Sequence, residues 1–509
     1  MKSKRKLLII FHTILVIILT GCEISVDSGN PYQPVAAQTQ VAATNPTVPT
    51  VFSLSTRRPN SPIYTPTPDP IRKLPTPRTS PDRYTVQPGD TLGKIAQRFN
   101  VDVNMLIETN KLTNPDRLQV GQVLVIPAPT PAAPAPSFKI IPDSELVYSP
   151  SNTNFDLQEF VQSQKGYLAG YHEDIEKISH SGADVVGRIA REYSVNPRLL
   201  LAVLEYQSKW VTQASPPAGR MEYPIGIIDP RRKTLYYQLA WTASQLNLGF
   251  YLWRVNAVSA WTTTDGLIIP ASPTINAGTA GVQNLFSELY DRSGWEKAIS
   301  DKGIFQTYQT LFGYPFDYSF DPLRPTNLKQ PNLILPFEKG EVWSFTGGPH
   351  AGWGAGSAWA GLDFAPPGKA LGCVKSDAWV TAMANGMIIR VENGAVIQDL
   401  NGDGIEQTGW TLLYMHIETR DRVAVGTYLK AGERIGHPSC EGGVSNGTHT
   451  HLARRYNGEW ISADDPSLPF NLEGWIASSD GQEYDGKLTK DGKVVEAWDG
   501  RRSENQIQR

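Results

Sequence analysis

The chain is poor in cysteine, in net charge and in long apolar stretches. Three cysteines among 509 residues are too few for a disulfide-dense scaffold. A formal net charge of −3 argues against a nucleic-acid binder that works through a basic surface. The apolar stretch at residues 7–19 is shorter than the ~20 residues that a membrane-spanning helix requires. The sequence is rich instead in proline, with 39 residues unevenly spread along the chain.

The N-terminus has the features of an export signal. Four basic residues lie within positions 2–6, the apolar stretch follows, and Leu19-Thr20-Gly21-Cys22 ends it. This ending resembles a bacterial lipobox, in which the cysteine is lipidated and becomes the first residue of the mature protein. We therefore predict a signal peptide at 1–21 and a lipid at Cys22 that anchors the protein to a membrane of the cell envelope. A plain secretory signal with an incidental cysteine, or an uncleaved anchor, is the alternative.

Two proline-rich segments divide the N-terminal part of the chain. Residues 22–82 are rich in proline, threonine, serine and glutamine, a composition that cannot bury a core, and we predict a disordered tether there. A shorter linker is predicted at 129–140, where the sequence PTPAAPAP occurs. The segment 83–128 between them is therefore predicted to fold as an independent module.

The 83–128 module has the pattern strand, helix, helix, strand. It resembles a LysM module over its whole length, from Tyr84-Thr85-Val86 and Gly89-Asp90-Thr91-Leu92 to Gly121-Gln122 and Ile126-Pro127. The resemblance implies binding of glycans that contain N-acetylglucosamine, with peptidoglycan as the predicted partner. It also implies a glycan groove between two loops, lined by Gly89, Asp90, Thr91, Leu92, Asn110, Lys111 and Leu112. A generic small α/β module is the alternative.

Residues 141–330 have helical apolar spacing and are predicted to form a helical domain. The run from Val195 to Ser208 resembles the start of a lytic-transglycosylase, lysozyme-like domain. In that family a catalytic glutamate directly precedes the serine, but this position is Gln207, whose amide cannot donate the proton that glycosidic cleavage requires. Glu205 lies nearby but points elsewhere on a helix. We predict a degenerate, non-catalytic lysozyme-like domain; an unrelated helical domain and an active domain using Glu205 are the alternatives.

Five of the eight histidines lie between residues 350 and 451, in a β-rich segment punctuated by glycine. Side chains on a strand alternate between faces, so His416 is predicted to face away from Leu413 and Ile417. By the same rule His449 and His451 are predicted to point the same way. Three imidazoles could thus enter one cleft, and a catalytic zinc site needs three protein ligands and one open position.

This segment resembles the lysostaphin-type and β-lytic zinc endopeptidases that cut peptidoglycan peptides. The matching pieces, in family order, are Gly347-Gly348-Pro349-His350, Leu362-Asp363-Phe364, Tyr414-Met415-His416 and Gly447-Thr448-His449-Thr450-His451. The lysostaphin pattern His-x-Gly-x-Asp is broken, because Trp359 stands where its histidine is expected. The β-lytic branch places that histidine further upstream, which His350 matches. We predict an antiparallel-β zinc endopeptidase domain at 331–475 and a C-terminal extension at 476–509.

The resemblance implies a division of roles among these residues. His350, Asp363 and His451 would bind zinc, and His416 and His449 would be the catalytic histidines beside it. One neutral histidine can accept a proton from water, and another can stabilise the oxyanion and protonate the leaving amine. The sequence leaves open which of the two takes each role.

Three smaller features lie in the predicted peptidase domain. Cys373 and Cys440 are predicted to form a disulfide, which export permits, whereas thiolate ligation of zinc would leave the histidine and aspartate set without a purpose. His437 is predicted to be a loop residue or to support the site, rather than to be a ligand. A further stretch, with oxygen-bearing side chains at Asp399, Asn401 and Asp403, resembles the start of a calcium loop, but Trp410 stands where the full loop has glutamate. A partial calcium site and a polar hairpin turn are both left open.

These patterns predict a multidomain protein with a small βααβ LysM module, a helical lysozyme-like domain and an antiparallel-β metallopeptidase domain. The predicted function is zinc-dependent hydrolysis of peptide cross-links or stem peptides in peptidoglycan by a lipoprotein of the cell envelope. A non-catalytic, peptidoglycan-binding or amidase-regulating lipoprotein is the first alternative, and lytic-transglycosylase-like activity of the helical domain is the second. No nucleic-acid partner is expected, and the oligomeric state is left open.

Overall fold

A computed structural model describes residues 66, 68–75, 80–87, 89–99, 101–115, 117–128 and 133–509. The predicted signal peptide, the lipidation site Cys22 and most of the predicted tether lie outside these described residues. Across the described ranges, no helix combines the length and the apolar character that crossing a membrane requires.

The N-terminal module has the predicted βααβ order. Its elements are β1 (Asp82–Thr85), α1 (Leu92–Phe99), α2 (Val103–Asn110) and β2 (Val123–Ile126). The two strands pair antiparallel, and both helices pack on them through a small core that includes Leu106, Leu124 and Ile126. Asp102 begins α2 by accepting a hydrogen bond from the Met105 amide at 2.9 Å.

The segment that follows is mostly helical, as predicted. Its helices are α3 (Asp143–Leu146), α4 (Leu157–Gln164), α5 (Tyr167–Gly170), α6 (Gly182–Tyr193), α7 (Pro197–Ser208), α8 (Leu235–Arg254), α9 (Ala277–Ser287), α10 (Arg292–Ala298) and α11 (Ile304–Phe312). Two short hairpins interrupt them, β3 (His172–Ile175) with β4 (Ile178–Ser181), and β5 (Ala260–Thr262) with β6 (Ile268–Pro270). Helix α6 begins with a capping box between Ser181 and Asp184, and α7 begins with the Asn196 cap followed by Pro197.

The C-terminal part is built from antiparallel strands. They are β7 (Val342–His350), β8 (Gly361–Ala365), β9 (Val380–Thr381), β10 (Gly386–Glu392), β11 (Ala395–Asp399), β12 (Trp410–Met415), β13 (Tyr428–Leu429), β14 (Arg434–Gly436), β15 (Thr450–Tyr456), β16 (Glu459–Trp460), β17 (Asn471–Leu472), β18 (Trp475–Ser479), β19 (Gly486–Lys490), β20 (Lys493–Glu496) and β21 (Gln506–Gln508). The main sheet runs β13-β10-β11-β12-β15-β8-β7-β21, and β17 to β20 form a second sheet. The predicted boundary at 475/476 falls inside β18, and β21 returns to the main sheet, so the C-terminal extension is part of this body.

The main sheet is buried on both faces. On one face, Ile397, Leu413 and Met415 join the core of the helical domain, whereas Leu412 and Tyr414 belong to a second core on the opposite face. Full burial of such a side chain contributes roughly 1.5–3 kcal/mol. The helical domain therefore packs directly on the main sheet and shares a core with it.

Residues 68–75, inside the predicted disordered tether, lie against the helical domain. The Arg72 guanidinium donates to the Trp253 carbonyl at 2.8 Å and lies 4.9 Å from the centre of that indole ring. Asp69 pairs with Lys139 at 2.5 Å. These two charged residues give this stretch specific contacts that its proline-rich composition does not reveal.

A buried charge cluster lies close to the contact between the sheet and the helical domain. Arg390 donates to both carboxylate oxygens of Glu406, at 2.9 and 2.8 Å, and Arg455 donates to the same group. Arg455 also donates to the Arg191 carbonyl of α6 at 3.2 Å. Burial alone would raise the pKa of Glu406, but the two guanidinium groups outweigh it and lower that pKa to about 2.

We expect this cluster to make folding acid-sensitive between about pH 4.3 and 2. The folded-state pKa of Glu406 is lowered, so its contribution is complete above the unfolded-state value and is lost as the pH falls through that window. The loss should reach about 3 kcal/mol, measured as the denaturant midpoint against pH. Glu406→Gln should flatten the curve in this window, whereas Glu296→Gln, in an exposed pair with Arg292, should leave it unchanged. An unchanged acid slope in Glu406→Gln would contradict the expectation.

Candidate metal and catalytic site

Three adjacent strands bring His350, Asp363 and His451 together. His350 ends β7, Asp363 lies in the middle of β8, and His451 is the second residue of β15. In the sheet, β8 lies between β15 and β7, with His451 opposite Asp363 and His350 opposite Gly361. All three side chains are buried.

The ligand atoms of these three residues are close enough to share one metal ion. His350 Nε2 lies 2.9 Å from His451 Nδ1, which lies 3.0 Å from Asp363 Oδ1. The distance from His350 Nε2 to Asp363 Oδ1 is 3.3 Å. Bonds of ~2.0–2.1 Å in a tetrahedral zinc site place ligand atoms roughly 3.3 Å apart. Within the described residues, this is the group of histidine, cysteine and acidic side chains that could hold a metal ion.

The outer hydrogen bonds of the two histidines fix which nitrogen faces the centre of the site. His350 Nδ1 donates to the Gly348 carbonyl at 2.7 Å, and His451 Nε2 donates to the Gly352 carbonyl at 3.1 Å. The inner nitrogens then carry lone pairs and face each other and a carboxylate. Three acceptors thus converge with no donor among them, and a cation satisfies all three.

Asp363 is held in its charged form. Burial would raise the pKa of this carboxyl, but the nearby His350 and His449 rings and the close approach of His451 lower it well below its usual range. An ionised carboxylate supplies the negative charge that a divalent cation requires.

His416 and His449 lie beside this group and face each other. Their ring centres are 4.4 Å apart, and His449 Nε2 is 3.8 Å from Asp363 Oδ2. His416 Nδ1 donates to the Glu441 carbonyl at 3.0 Å, and His449 Nδ1 donates to the Gly447 carbonyl at 2.7 Å. In each ring, Nε2 is therefore the nitrogen that carries the lone pair. Burial lowers the pKa of His416 to about 3, with His449 and His451 contributing in the same direction, so His416 is a neutral acceptor.

The local backbone differs from the predicted strand pattern at both histidines. Strand β12 ends at Met415, and His416 adopts a positive φ of 64°. This left-handed residue breaks the strand alternation, so Ile417 packs in the core opposite the one that contains Leu413, and their predicted shared face is wrong. His449 precedes β15 and forms only an isolated bridge with Ser439, instead of sharing a strand with His451.

A disulfide joins two loops next to His416 and His449. Cys373 and Cys440 are bonded, with Cα atoms 5.7 Å apart. In the first loop, the Val374 carbonyl accepts a hydrogen bond from the Thr448 hydroxyl at 2.5 Å. The Gly372 carbonyl accepts a hydrogen bond from the Thr448 amide at 3.1 Å. The disulfide loop therefore holds the residue that precedes His449.

His437 lies outside the cluster. Its ring centre is 3.9 Å from that of Trp379, and Nδ1 donates to the Ala378 carbonyl at 2.8 Å. These contacts fit the prediction of a supporting loop residue.

The C-terminal extension contributes a residue that the sequence analysis missed. Tyr484 stacks on His350, with ring centres 4.2 Å apart and planes 18° from parallel. The adjacent Glu483 accepts a hydrogen bond from the Ala351 amide at 3.2 Å. Tyr484 is more than 30 residues from any of the histidine motifs, and no local pattern marks it.

A calcium site at Asp399, Asn401 and Asp403, which the sequence left open, finds no support. The Asp399 carboxylate accepts from the amides of Asn401 and Gly404 at 3.0 and 2.9 Å. Asp403 accepts from the Ile405 amide at 2.8 Å and from the Asn401 side chain at 3.0 Å. These oxygens stabilise a tight polar turn, which is the alternative that the sequence left open.

Two residues of the predicted glycan groove, Leu92 and Asn110, stabilise the fold of the module. Leu92 is buried in the module core. The Asn110 side chain donates to the Leu106 and Val125 carbonyls at 2.9 and 2.7 Å and accepts from the Val125 amide at 2.7 Å, which ties α2 to β2. Asp90 is partly exposed and accepts from the Tyr84 hydroxyl at 2.7 Å. Apart from the buried Leu92, every predicted groove position is exposed or partly exposed, and Gly89, Asp90, Thr91, Lys111 and Leu112 are those without the structural hydrogen bonds of Asn110 that tie α2 to β2.

The acidic residue of the helical domain is bound internally. Glu205 accepts from the Val211 and Thr212 amides, both at 3.1 Å, and from the Thr212 hydroxyl at 2.7 Å. Gln207 accepts from the Tyr290 hydroxyl at 3.0 Å. Glu205 therefore caps the turn after α7, a task that leaves it poorly placed as a proton donor.

Two family models match separate parts of the chain. The LysM domain model matches residues 84–127, which confirms the predicted module, and the model "LasA, N-terminal domain" matches residues 139–326. The helical segment is thus similar to the LasA N-terminal domain, and its predicted lysozyme-like character is not confirmed.

Curated relatives share short stretches with the chain. N-acetylmuramoyl-L-alanine amidase XlyA of Bacillus subtilis is 34% identical over 119 residues, which is 22% of this chain and 39% of the relative. The cortical fragment-lytic enzyme of the same organism is 50% identical over 44 residues, 9% of this chain and 10% of the relative. The chain therefore spans well under half of these proteins.

Solved structures similar to this chain include several M23 peptidases. The deep-sea M23 metalloprotease pseudoalterin is 22% identical, with a TM-score of 0.28 and coverage of 35% of this chain and 99% of its own. The lysostaphin catalytic domain from Staphylococcus simulans is 26% identical, with a TM-score of 0.18 and coverage of 24% and 89%.

Proposed function

We propose that the protein is a zinc-dependent endopeptidase that hydrolyses cross-link or stem peptides of bacterial peptidoglycan. The observation that carries the proposal is the convergence of His350, Asp363 and His451, three acceptors with no donor among them, beside His416 and His449. This donor set suits zinc, which takes nitrogen and carboxylate ligands.

The chain's own groups can divide the work of peptide hydrolysis. Zinc held by His350 Nε2, His451 Nδ1 and Asp363 would supply Lewis acidity, which acidifies water and polarises a peptide carbonyl. The Nε2 atoms of His416 and His449 are available to accept the proton of the attacking water and to return it to the leaving amine. The hydrogen bonds at both Nδ1 atoms hold the rings in the orientation that this exchange needs.

We further propose that the LysM module and a lipid at Cys22 place the enzyme at the cell wall. The matched relatives include an amidase, a cortical fragment-lytic enzyme and the probable endopeptidase p60 of Listeria seeligeri, whose names all point to wall hydrolysis. These similarities support peptidoglycan as the ligand of the LysM module and an extracytoplasmic location in the cell envelope.

Product analysis tests the proposal. The full chain is loaded with zinc and incubated with purified peptidoglycan, and the released fragments are identified by mass spectrometry. We expect shortened peptides with new free amines on intact glycan, loss of release with a chelator, and recovery when zinc is added back. Anhydro-muropeptides, or release that a chelator does not affect, would overturn the proposal. Absence of any release would favour the non-catalytic, amidase-regulating alternative.

A further inference from the structure

The loop between the first two candidate ligands also contacts the third. Residues 351–360, termed here the 351–360 loop, connect His350 to the strand that carries Asp363. The Gly352 carbonyl in this loop accepts the hydrogen bond from His451 Nε2 at 3.1 Å. The position of one backbone carbonyl therefore decides which His451 nitrogen faces the metal site, and at what angle.

The 351–360 loop is a compact turn that fixes Gly352. The Gly352 amide donates to the Ala358 carbonyl at 3.0 Å, and the Trp353 amide donates to the Ser357 hydroxyl at 2.9 Å. Because these bonds close the turn, displacement of its tip is transmitted to the Gly352 carbonyl.

The tip of the loop lies against the helical domain at a distance that only glycine allows. A Cβ atom at Gly356 would lie 1.8 Å from the Ser244 carbonyl oxygen and 3.0 Å from the Leu248 nitrogen, both in α8. Gly354 has a φ of 65°, and a Cβ there would lie 2.6 Å from the Tyr193 ring at the end of α6. The loop is therefore in direct backbone contact with α8.

The same helix supports Gly352 from a second direction. A Cβ at Gly352 would lie 2.9 Å from the Trp460 ring, so this indole ring packs directly against Gly352. The Trp460 amide donates to the Tyr251 hydroxyl of α8 at 3.0 Å. Helix α8 thus contacts the tip of the loop and the backbone of Trp460, the residue whose ring packs against Gly352.

We propose that α8 positions the metal site, because it holds the 351–360 loop and thereby the Gly352 carbonyl that orients His451. Gly356 is a positioning residue, and the LasA-type domain is a working part of the site rather than a separable spacer. The inference rests on the proposed zinc site. A merely structural loop would change stability and leave the affinity for metal untouched.

The test compares Gly356→Ala with Gly170→Ala in the full chain. A Cβ at Gly170, the last residue of α5, meets no atom within 4 Å, so this control makes the same chemical change in open space. Zinc affinity is measured by competition with a chelator, the ligand field by the absorption spectrum of the cobalt(II) form, and stability by thermal unfolding of the metal-free protein. We expect a zinc Kd raised about 10–100-fold and an altered cobalt spectrum for Gly356→Ala only.

A second variant keeps the test decisive if Gly356→Ala does not fold. Tyr251→Phe removes the acceptor of the Trp460 amide without adding any atom, and it should weaken zinc binding in the same direction, by less than about tenfold. Wild-type affinity and an unchanged cobalt spectrum in the folded variants would overturn the inference, even if their unfolding temperatures fell. Absence of zinc binding by the wild-type chain would instead overturn the proposed function.

Discussion

Replacement of His451 by alanine should abolish stoichiometric zinc binding and lower peptidoglycan cleavage by about 10³-fold or more. The substitution removes the nitrogen that lies 2.9 Å from His350 Nε2 and 3.0 Å from Asp363 Oδ1. Two ligands from β7 and β8 remain, which is fewer than the three that catalytic zinc sites use. Zinc content after gel filtration and the initial rate of fragment release measure the two effects.

Two comparison variants separate a ligand from its neighbours. His449→Ala should retain zinc, because His449 Nε2 lies 3.8 Å from Asp363 Oδ2 and is not one of the three candidate ligands. The variant should lose most of the activity, because it lacks the Nε2 atom that the hydrogen bond from Nδ1 to the Gly447 carbonyl orients. His437→Ala removes another buried histidine of the same domain, one that stacks on Trp379, and should retain both zinc and activity. Retention of stoichiometric zinc by His451→Ala would contradict the assignment of this residue as a ligand.

The residues of the candidate site could be found from the sequence because each lies within a short motif. The Gly347–His350 and Gly447–His451 stretches can be identified from their residue types and their order in the chain, without knowledge of their tertiary contacts. What they could not show is that β12 ends at Met415. The positive φ at His416 determines which face of the sheet Ile417 packs on. It depends on the loop that contains Glu441, whose carbonyl accepts the hydrogen bond from the His416 ring.

The shared core was harder to predict because its partners are far apart in the chain. The run Leu412-Leu413-Tyr414-Met415 is continuously apolar, a pattern typical of strands that are buried on both faces. A pattern of this kind indicates that something covers the second face, but it does not identify the cover. The contact of Gly356 with α8 likewise joins residues more than 100 positions apart, and the local periodicity of the sequence does not predict it.

Removal of the Cys373–Cys440 disulfide should lower stability more than any other change outside the site. The bond spans 67 residues of sequence, and closing a loop of this length stabilises the fold by about 4 kcal/mol in the chain-entropy model. In the double variant Cys373→Ala/Cys440→Ala, the unfolding temperature of the peptidase body should fall by roughly 10 °C. Calorimetry of the full chain measures the change.

The same double variant should also separate the catalytic loop from the metal site. Gly372 and Val374 hold Thr448, the neighbour of His449, whereas the three candidate ligands are held by β7, β8 and β15. Zinc binding should therefore survive while cleavage slows, because the disulfide holds His449 and the sheet holds the metal. Cys22→Ala is the matched control: it removes the third cysteine and should change neither property. Equal unfolding temperatures for the double variant and this control would show that the loops are held by something other than the disulfide. Loss of zinc together with stability would contradict the separation of the catalytic loop from the metal site.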